Sequence, residues 1–332
     1  MAKTGISDTK NMTFGQKIKM FVNTNQAGVA LILALILFGM TVIANPASLN
    51  TTAFGNIILL TILLAIPAAG CTIVLIGGGL DFCVGAVMSS TAILTAQTMM
   101  GQDGHIIETL LLAILVGLLV GLANGITIVA TKLPPMIVSM AICNVLTRLM
   151  YVFTGGSFAG QPSPTLIWTV TARPLFGFIP NIVFYALVLF PIIFFILKFS
   201  RFGKQLYLVG DNETAARLTG VKVEKIKIIS YVISGLLAAF AGVIGEAYIY
   251  GARMQAFDDY GYKALLAVIV GGTSFDGGIG SFEQTICGCL LMVLLSNWIT
   301  TMQFSVPVQY IVNGVVLVAL MAVYNRSGAV RQ

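Results

Sequence analysis

Charge is what this chain has least of. Asp, Glu, Lys and Arg make up 9% of its 332 residues and hydrophobic types 58%, whereas about a quarter of the residues in soluble domains are charged. That balance excludes a soluble globular protein and leaves an integral membrane protein. Histidine is nearly absent as well, His105 being the only one. With the acids scattered, no Ser-His-Asp, Cys-His or metal-ligand constellation can be assembled, so no catalytic residue and no metal site is expected. The five cysteines (Cys71, Cys83, Cys143, Cys287, Cys289) lie in or beside apolar segments. The last two are spaced C-x-C, not the C-x2-C of metal and redox motifs, and all five read as small core residues. A phosphate-binding G-x4-G-K-[ST] is missing too, so no nucleotide cofactor is expected on this chain. The net charge of +6 does not call for nucleic acid, because basic loops facing an anionic lipid leaflet account for it.

What is present is apolar sequence in long blocks. At roughly 20 residues per crossing, the chain supplies about ten helical spans and almost nothing for a soluble domain. The hydrophobic stretches run over 28–44, 55–76, 83–100, 108–130, 136–153, 178–198, 226–250, 260–275, 282–300 and 308–324. Segments 31–40 and 110–120 are apolar throughout, which argues against the alternating strands of a barrel. The expectation is a single all-α transmembrane domain over 1–332. It has a cytoplasmic N-terminal segment (1–27), a cytoplasmic loop (199–225) and both termini inside the cell. With that orientation Lys3, Lys10, Lys17, Lys19, Lys132, Lys198, Arg201, Lys204, Arg217, Lys222, Lys225, Lys227, Arg326 and Arg331 are cytoplasmic, 14 of the 18 Lys and Arg, as basic residues prefer. Arg148, Arg173, Arg253 and Lys263 fall outside or within spans. Gly117, Gly121 and Gly125, four residues apart, predict a close-packed interior fourth helix, and Ser234, Ala238 and Gly242 repeat the theme in the seventh. Pro134 and Pro135 predict a tight turn between spans four and five.

Two glycine-rich interruptions, 76–88 after span two and 270–282 after span eight, resemble each other and suggest an internal repeat. Gly77, Gly78, Gly79 and Gly85 belong to the first, Gly271, Gly272, Gly277 and Gly278 to the second, and each holds an aspartate, Asp81 or Asp276. Such backbone is tolerated at membrane depth only where protein buries it or a polar cavity meets it. Asp81 either caps the helix that follows or acts as a gate, and Asp276 sits in a cytoplasmic turn or near the pathway. Other pathway candidates are the intramembrane groups Asn124, Asn144, Glu246, Asn297 and Asn313. The alternative for each is a hydrogen bond to a neighbouring helix. Arg253 or Arg148 is the expected neutralising partner of Glu246.

The polar island from Ser200 to Lys227 carries a short helix signature. Asp211 or Asn212 caps its start, Glu213 and Arg217 are spaced i,i+4, Ala215, Ala216 and Leu218 form its body, and Gly220 supplies the residue at which it stops. So short a helix does not persist alone in water, and a partner protein is the expected support.

Together the runs GGGLDFCVGAVMS, GLANGITIVATKLPPMIVSM, RFGKQLYLVGDNETAARLTGVKVEKIKIISYVISGLLAAFAG and AVIVGGTSFDGGIGS resemble the permease subunit of bacterial ABC importers for ribose and similar monosaccharides, over most of the chain from about Asn56 onward. The resemblance implies a transport subunit, not an enzyme, in the bacterial cytoplasmic (inner) membrane. Implied partners are a second permease copy or paralogue, a cytoplasmic ATPase carrying ATP and Mg, an extracytoplasmic solute-binding protein and membrane lipid. It also implies that Asn212 to Gly220 is the coupling helix seated on the ATPase. The chain departs from the family pattern at Lys263, where an acidic residue is usual, and pairing of Lys263 with Asp258 or Asp259 is the expected compensation. The open alternatives are a non-sugar solute such as a nucleoside or signalling molecule, and a self-sufficient secondary transporter coupled to protons through Asp81 or Glu246.

Overall fold

The computed structural model describes residues 26–156 and 160–305, and beyond them 307, 308, 310–312, 314 and 315. The N-terminal basic residues, Asn313 and most of the tenth expected span lie outside the described residues. Among those described, the secondary structure is helical: α1 (Gln26–Ala44), α2 (Thr51–Ile76), α3 (Val84–Met99), α4 (Ile106–Thr131), α5 (Pro135–Thr154), α6 (Pro164–Thr171), α7 (Ile182–Lys198), α8 (Arg201–Asp211), α9 (Glu213–Leu218), α10 (Val223–Ile249), α11 (Asp258–Gly271) and α12 (Phe282–Thr301). Six of these (α1, α2, α4, α5, α10, α12) are long and apolar enough to cross a membrane, or seven if α7 and α8, bent by 60° at their junction, form one span. This is an all-α membrane protein. Among the described residues, α3 and α11, which adjoin the glycine interruptions, fall short of full crossings by length, having 16 and 14 residues. At 1.5 Å per residue they rise about 24 and 21 Å, less than a ~30 Å hydrocarbon layer.

The centre is α2, which is buried on every side from Ile62 to Ile76. On one flank it meets α10, which also packs on α3 and α4; on the other it meets α11 and α12, with α1 outside them. The contact between α4 and α10 explains the glycine spacing. A Cβ at Gly117 would stand 2.6 Å from Gly235 O, at Gly121 2.6 Å from Tyr231 O and at Gly125 2.8 Å from Ile228 Cα. Removing the side chains lets the two backbones touch, which is how membrane helices gain dispersion contact without a hydrophobic driving force.

One expectation changes here. The helix α4 is peripheral, not interior: only 22% of its apolar stretch is buried, and Leu111, Ile114, Leu115 and Leu119 face outward. Ser234 and Gly242 repeat the close approach on α10 but toward other partners, Ser234 against Gly70 of α2 and Gly242 against Met88 of α3. Small residues surround α10 on several faces because it is the helix packed on several sides. The turn at Pro134 and Pro135 is as expected, with Lys132 in the left-handed region (φ 56°) and Pro135 opening α5. The loop after α5 folds back inward, α6 packing on α10 and Asp103 Oδ1 accepting the Thr165 N–H at 3.1 Å.

Candidate functional site

The polar island folds into two helices. The short one, α9, begins where its sequence signature places it. Asn212 is the N-cap, its side chain accepting the Ala215 N–H at 2.9 Å, which satisfies one of the donors that a helix start leaves open. Asp211 instead ends the preceding helix α8. Gly220 follows α9 at φ +84° with open space around it, so the glycine is needed there for backbone conformation and not for packing. Ala216 is buried, whereas Leu218 is 85% exposed, an apolar side chain held out in the open.

Glu213 and Arg217 do not pair with each other as their spacing suggests. Arg217 bonds Glu224, and Glu213 bonds Lys227, both partners being on the first turns of α10. The reason is chain direction: the turn at Gly220 lays α10 back beside α9, and the cross-helix partners compete with the local one. Exposed pairs of this kind contribute roughly 0–1 kcal/mol each. They orient α9 more than they stabilise it.

The longer helix, α8, is not evident from polarity, although Ser200 caps it by accepting from the Gly203 N–H at 3.0 Å and Gly203, Leu206 and Val209 form its buried face. It packs onto the two glycine interruptions, which themselves meet, and leads directly into α9. Gly278 N–H donates to Ile76 O at 2.9 Å, so the second interruption is bonded to the end of α2, where the first begins. Gly210 sits against both: a Cβ there would overlap Ile76 O and stand 2.5 Å from Gly278 N. Gly277 (φ +87°) lies between Gly210 and Gly78 (φ +76°), and Tyr207 Oη donates to Gly280 O at 2.7 Å. Gly77, Gly78, Gly277 and Gly278 are thereby brought into one junction against the C-terminal half of α8. Gly79 packs on the Tyr231 hydroxyl, Gly85 lets the Phe257 and Asp258 carbonyls approach α3, and Gly271 and Gly272 (φ +111°) end α11 beside α12. Sequence reading missed Gly210 and Tyr207; the signal for both was the Gly203, Leu206, Val209 spacing after a serine cap.

The intramembrane polar groups divide into three sets. Asp81 is buried, accepting from Cys83 N–H at 2.9 Å and from Ser234 Oγ at 2.7 Å, so it ties the first interruption to α10. It precedes the N-cap position of α3, which Cys83 occupies. Asn124 is buried near Cys83 with its Oδ1 unpaired. Glu246 is fully buried and accepts from Thr95 Oγ1, while its Oε1 has no partner among the described residues. Neither Arg253 nor Arg148 neutralises it: among the described residues no cation pairs with Glu246, and both arginines are exposed. Asn297 is half-buried on α12. Asn144 lies on the outer face of α5, away from the other candidates, its Nδ2 donating to Met140 O at 2.9 Å. Asp276 is exposed in a turn, its N–H donating to Ser274 Oγ at 3.3 Å. Lys263 stands 3.9 Å from Asp259, the compensation expected of it. No group of His, Cys, Asp and Glu among the described residues is placed to hold a metal ion.

Comparison with known proteins agrees with this architecture. Residues 53–321 match the family described as branched-chain amino acid transport system / permease component. The ribose import permease protein of Escherichia coli (strain K12) is 30% identical over 301 residues, covering 90% of this chain and 93% of that protein. Its counterpart in Bacillus subtilis (strain 168) is 30% identical over 292 residues, 86% of this chain and 89% of the relative. An autoinducer 2 import system permease protein of Yersinia pseudotuberculosis (serotype O:1b, strain IP 31758) is 26% identical over 306 residues, 92% of this chain and 86% of the relative. No solved structure matches the chain. This chain belongs to the family of branched-chain amino acid transport system permease components, and its work is transport across a membrane, not covalent catalysis.

Proposed function

We propose that the chain is the membrane subunit of an ATP-driven importer that carries a ribose-like, polyhydroxylated solute across the bacterial cytoplasmic membrane. The observation that carries this is the 30% identity to ribose import permeases over nine-tenths of the chain. A solute-binding protein delivers the solute from outside, a second permease copy or paralogue completes the pathway, and a cytoplasmic ATPase supplies ATP and Mg. Asp211, Asn212, Glu213, Ala215, Ala216, Arg217, Leu218 and Gly220 form the coupling element, with Leu218 entering the ATPase. The capped, outward-held α9 supports this role, since a six-residue helix gains little from its own hydrogen bonds. The single domain spans 1–332 with both termini in the cytoplasm.

The permease itself is a bistable packing of helices that nucleotide-driven closure of the ATPase biases. Asp81, Asn124, Asn144, Glu246, Asn297 and Asn313 are the pathway and gate candidates. Reconstitution of the chain with its cognate ATPase and binding protein tests the reading. Labelled ribose should enter proteoliposomes only with ATP present. Uptake by the permease alone would overturn the ATP-driven reading, and ATP-driven uptake of another solute without ribose would overturn the sugar.

A further inference from the structure

The described membrane helices expose apolar side chains almost without exception. On α1, α4 and α7 the outward residues between the end turns are Leu, Ile, Val, Phe, Ala, Met and Pro. The helix α5 differs. Asn144 and Arg148, one helical turn apart, are both exposed; apart from Asn56, which lies in the second turn of α2 and accepts from Arg173 Nη2 at 2.7 Å, they are the only exposed amide or charged side chains between the end turns of the described membrane helices. Counted from Pro135 at 1.5 Å per residue, Asn144 stands about 14 Å and Arg148 about 20 Å along a helix about 30 Å long. With α5 spanning the bilayer end to end, that depth falls in hydrocarbon, where an uncompensated charge is costly and polar groups are found facing a partner or a water-filled cavity.

We infer that the Asn144–Arg148 face of α5 lines the aqueous route of the solute and is a binding site for its hydroxyl groups. The chemistry suits such a ligand. With Nδ2 committed to Met140 O, the Asn144 amide keeps Oδ1 as an acceptor. The Arg148 guanidinium brings a planar fork of donors and lies 5.9 Å from the centre of the Tyr151 ring, next along the same face. An acceptor, a fork of donors and an aromatic plate match the alternating hydroxyls and C–H faces of a sugar. The solute class rests on the proposal that this chain imports a ribose-like solute; the aqueous character of the face does not.

The test is cysteine labelling in the assembled transporter held in lipid nanodiscs, with a charged maleimide that does not partition into lipid. Asn144→Cys should react at least tenfold faster than Leu115→Cys on the outer face of α4, after subtraction of the native chain's rate. Ribose supplied with the binding protein should slow that reaction. Rates equal at the two positions would overturn the inference whatever the solute. Fast labelling slowed by a different imported solute would uphold the aqueous face and overturn the sugar reading alone. Fast labelling that no imported solute slows would mark a water-filled cleft off the route and overturn the binding site. A second arm is Arg148→Leu, which should cut uptake at least tenfold with unchanged yield of the complex; undiminished uptake would remove Arg148 from the site and leave it an arginine reaching toward the membrane surface.

Discussion

At the scale of single residues, the two buried carboxylates differ in what holds them. Asp81 has two donors, Ser234 Oγ and the Cys83 N–H, whereas Glu246 has one, Thr95 Oγ1. Removing a donor from a buried charged group costs roughly 1.5–3 kcal/mol. Ser234→Ala should therefore lower the thermal midpoint of the purified protein in detergent by several degrees, and an unchanged midpoint would show that Asp81 is not held through Ser234. A second residue-level prediction concerns the seam of α4. Gly121→Leu should abolish accumulation of folded protein, because any side chain there meets the Tyr231 carbonyl and Val232 Cα. Gly39→Leu, at a position with nothing within 4 Å, should accumulate normally. Quantifying both proteins in membranes checks the pair. The glycine spacing on α4 announced a close contact, but nothing in it announced the partner face, which turned out to be Ile228, Tyr231, Val232 and Gly235 on α10.

At the scale of elements, α8 packs on both glycine interruptions and leads directly into α9. A Cβ at Gly210 would have to displace Ile76 O or the Gly278 N–H, which are bonded to each other. Gly210→Ala in the assembled importer should leave ATP hydrolysis running while uptake falls at least fivefold, so the ratio of ATP spent to solute moved rises. A merely destabilised complex would lose both in proportion. Gly220→Val tests the other end of α9, since a β-branched residue at φ +84° is strained by about 1–3 kcal/mol. It too should raise the ATP-to-solute ratio, and an unchanged ratio would count against α9 as the coupling element. The caps of α9 were legible in the sequence because capping is decided within four residues. The partners of Glu213 and Arg217 were not, because they arrive with α10 after a turn that only the folded chain shows.

At the scale of the whole molecule, orientation is open to direct measurement. With both termini inside the cell, Leu218→Cys should react with an impermeant maleimide in inside-out vesicles, and Gly104→Cys in intact cells with a permeable outer layer. The opposite pattern would invert the proposed topology. The all-α membrane class followed from composition alone, because a chain this short of charge can satisfy its backbone in lipid only through helices or a barrel, and its continuous apolar runs rule out the barrel. The places where the chain turns or breaks were legible for the same local reason: Asn212, Gly220, Pro135 and the glycine runs act through their own backbone. What only the tertiary structure decided is which apolar helix lies inside and which outside, as with central α10 and peripheral α4. It also decided that the two interruptions bond to each other against α8, and that Asn144 and Arg148 look outward. Hydropathy cannot make those distinctions, since lipid and a helix-packed interior are equally apolar to a leucine; the difference lies in which backbones touch, and that is set by the contacts of the whole chain.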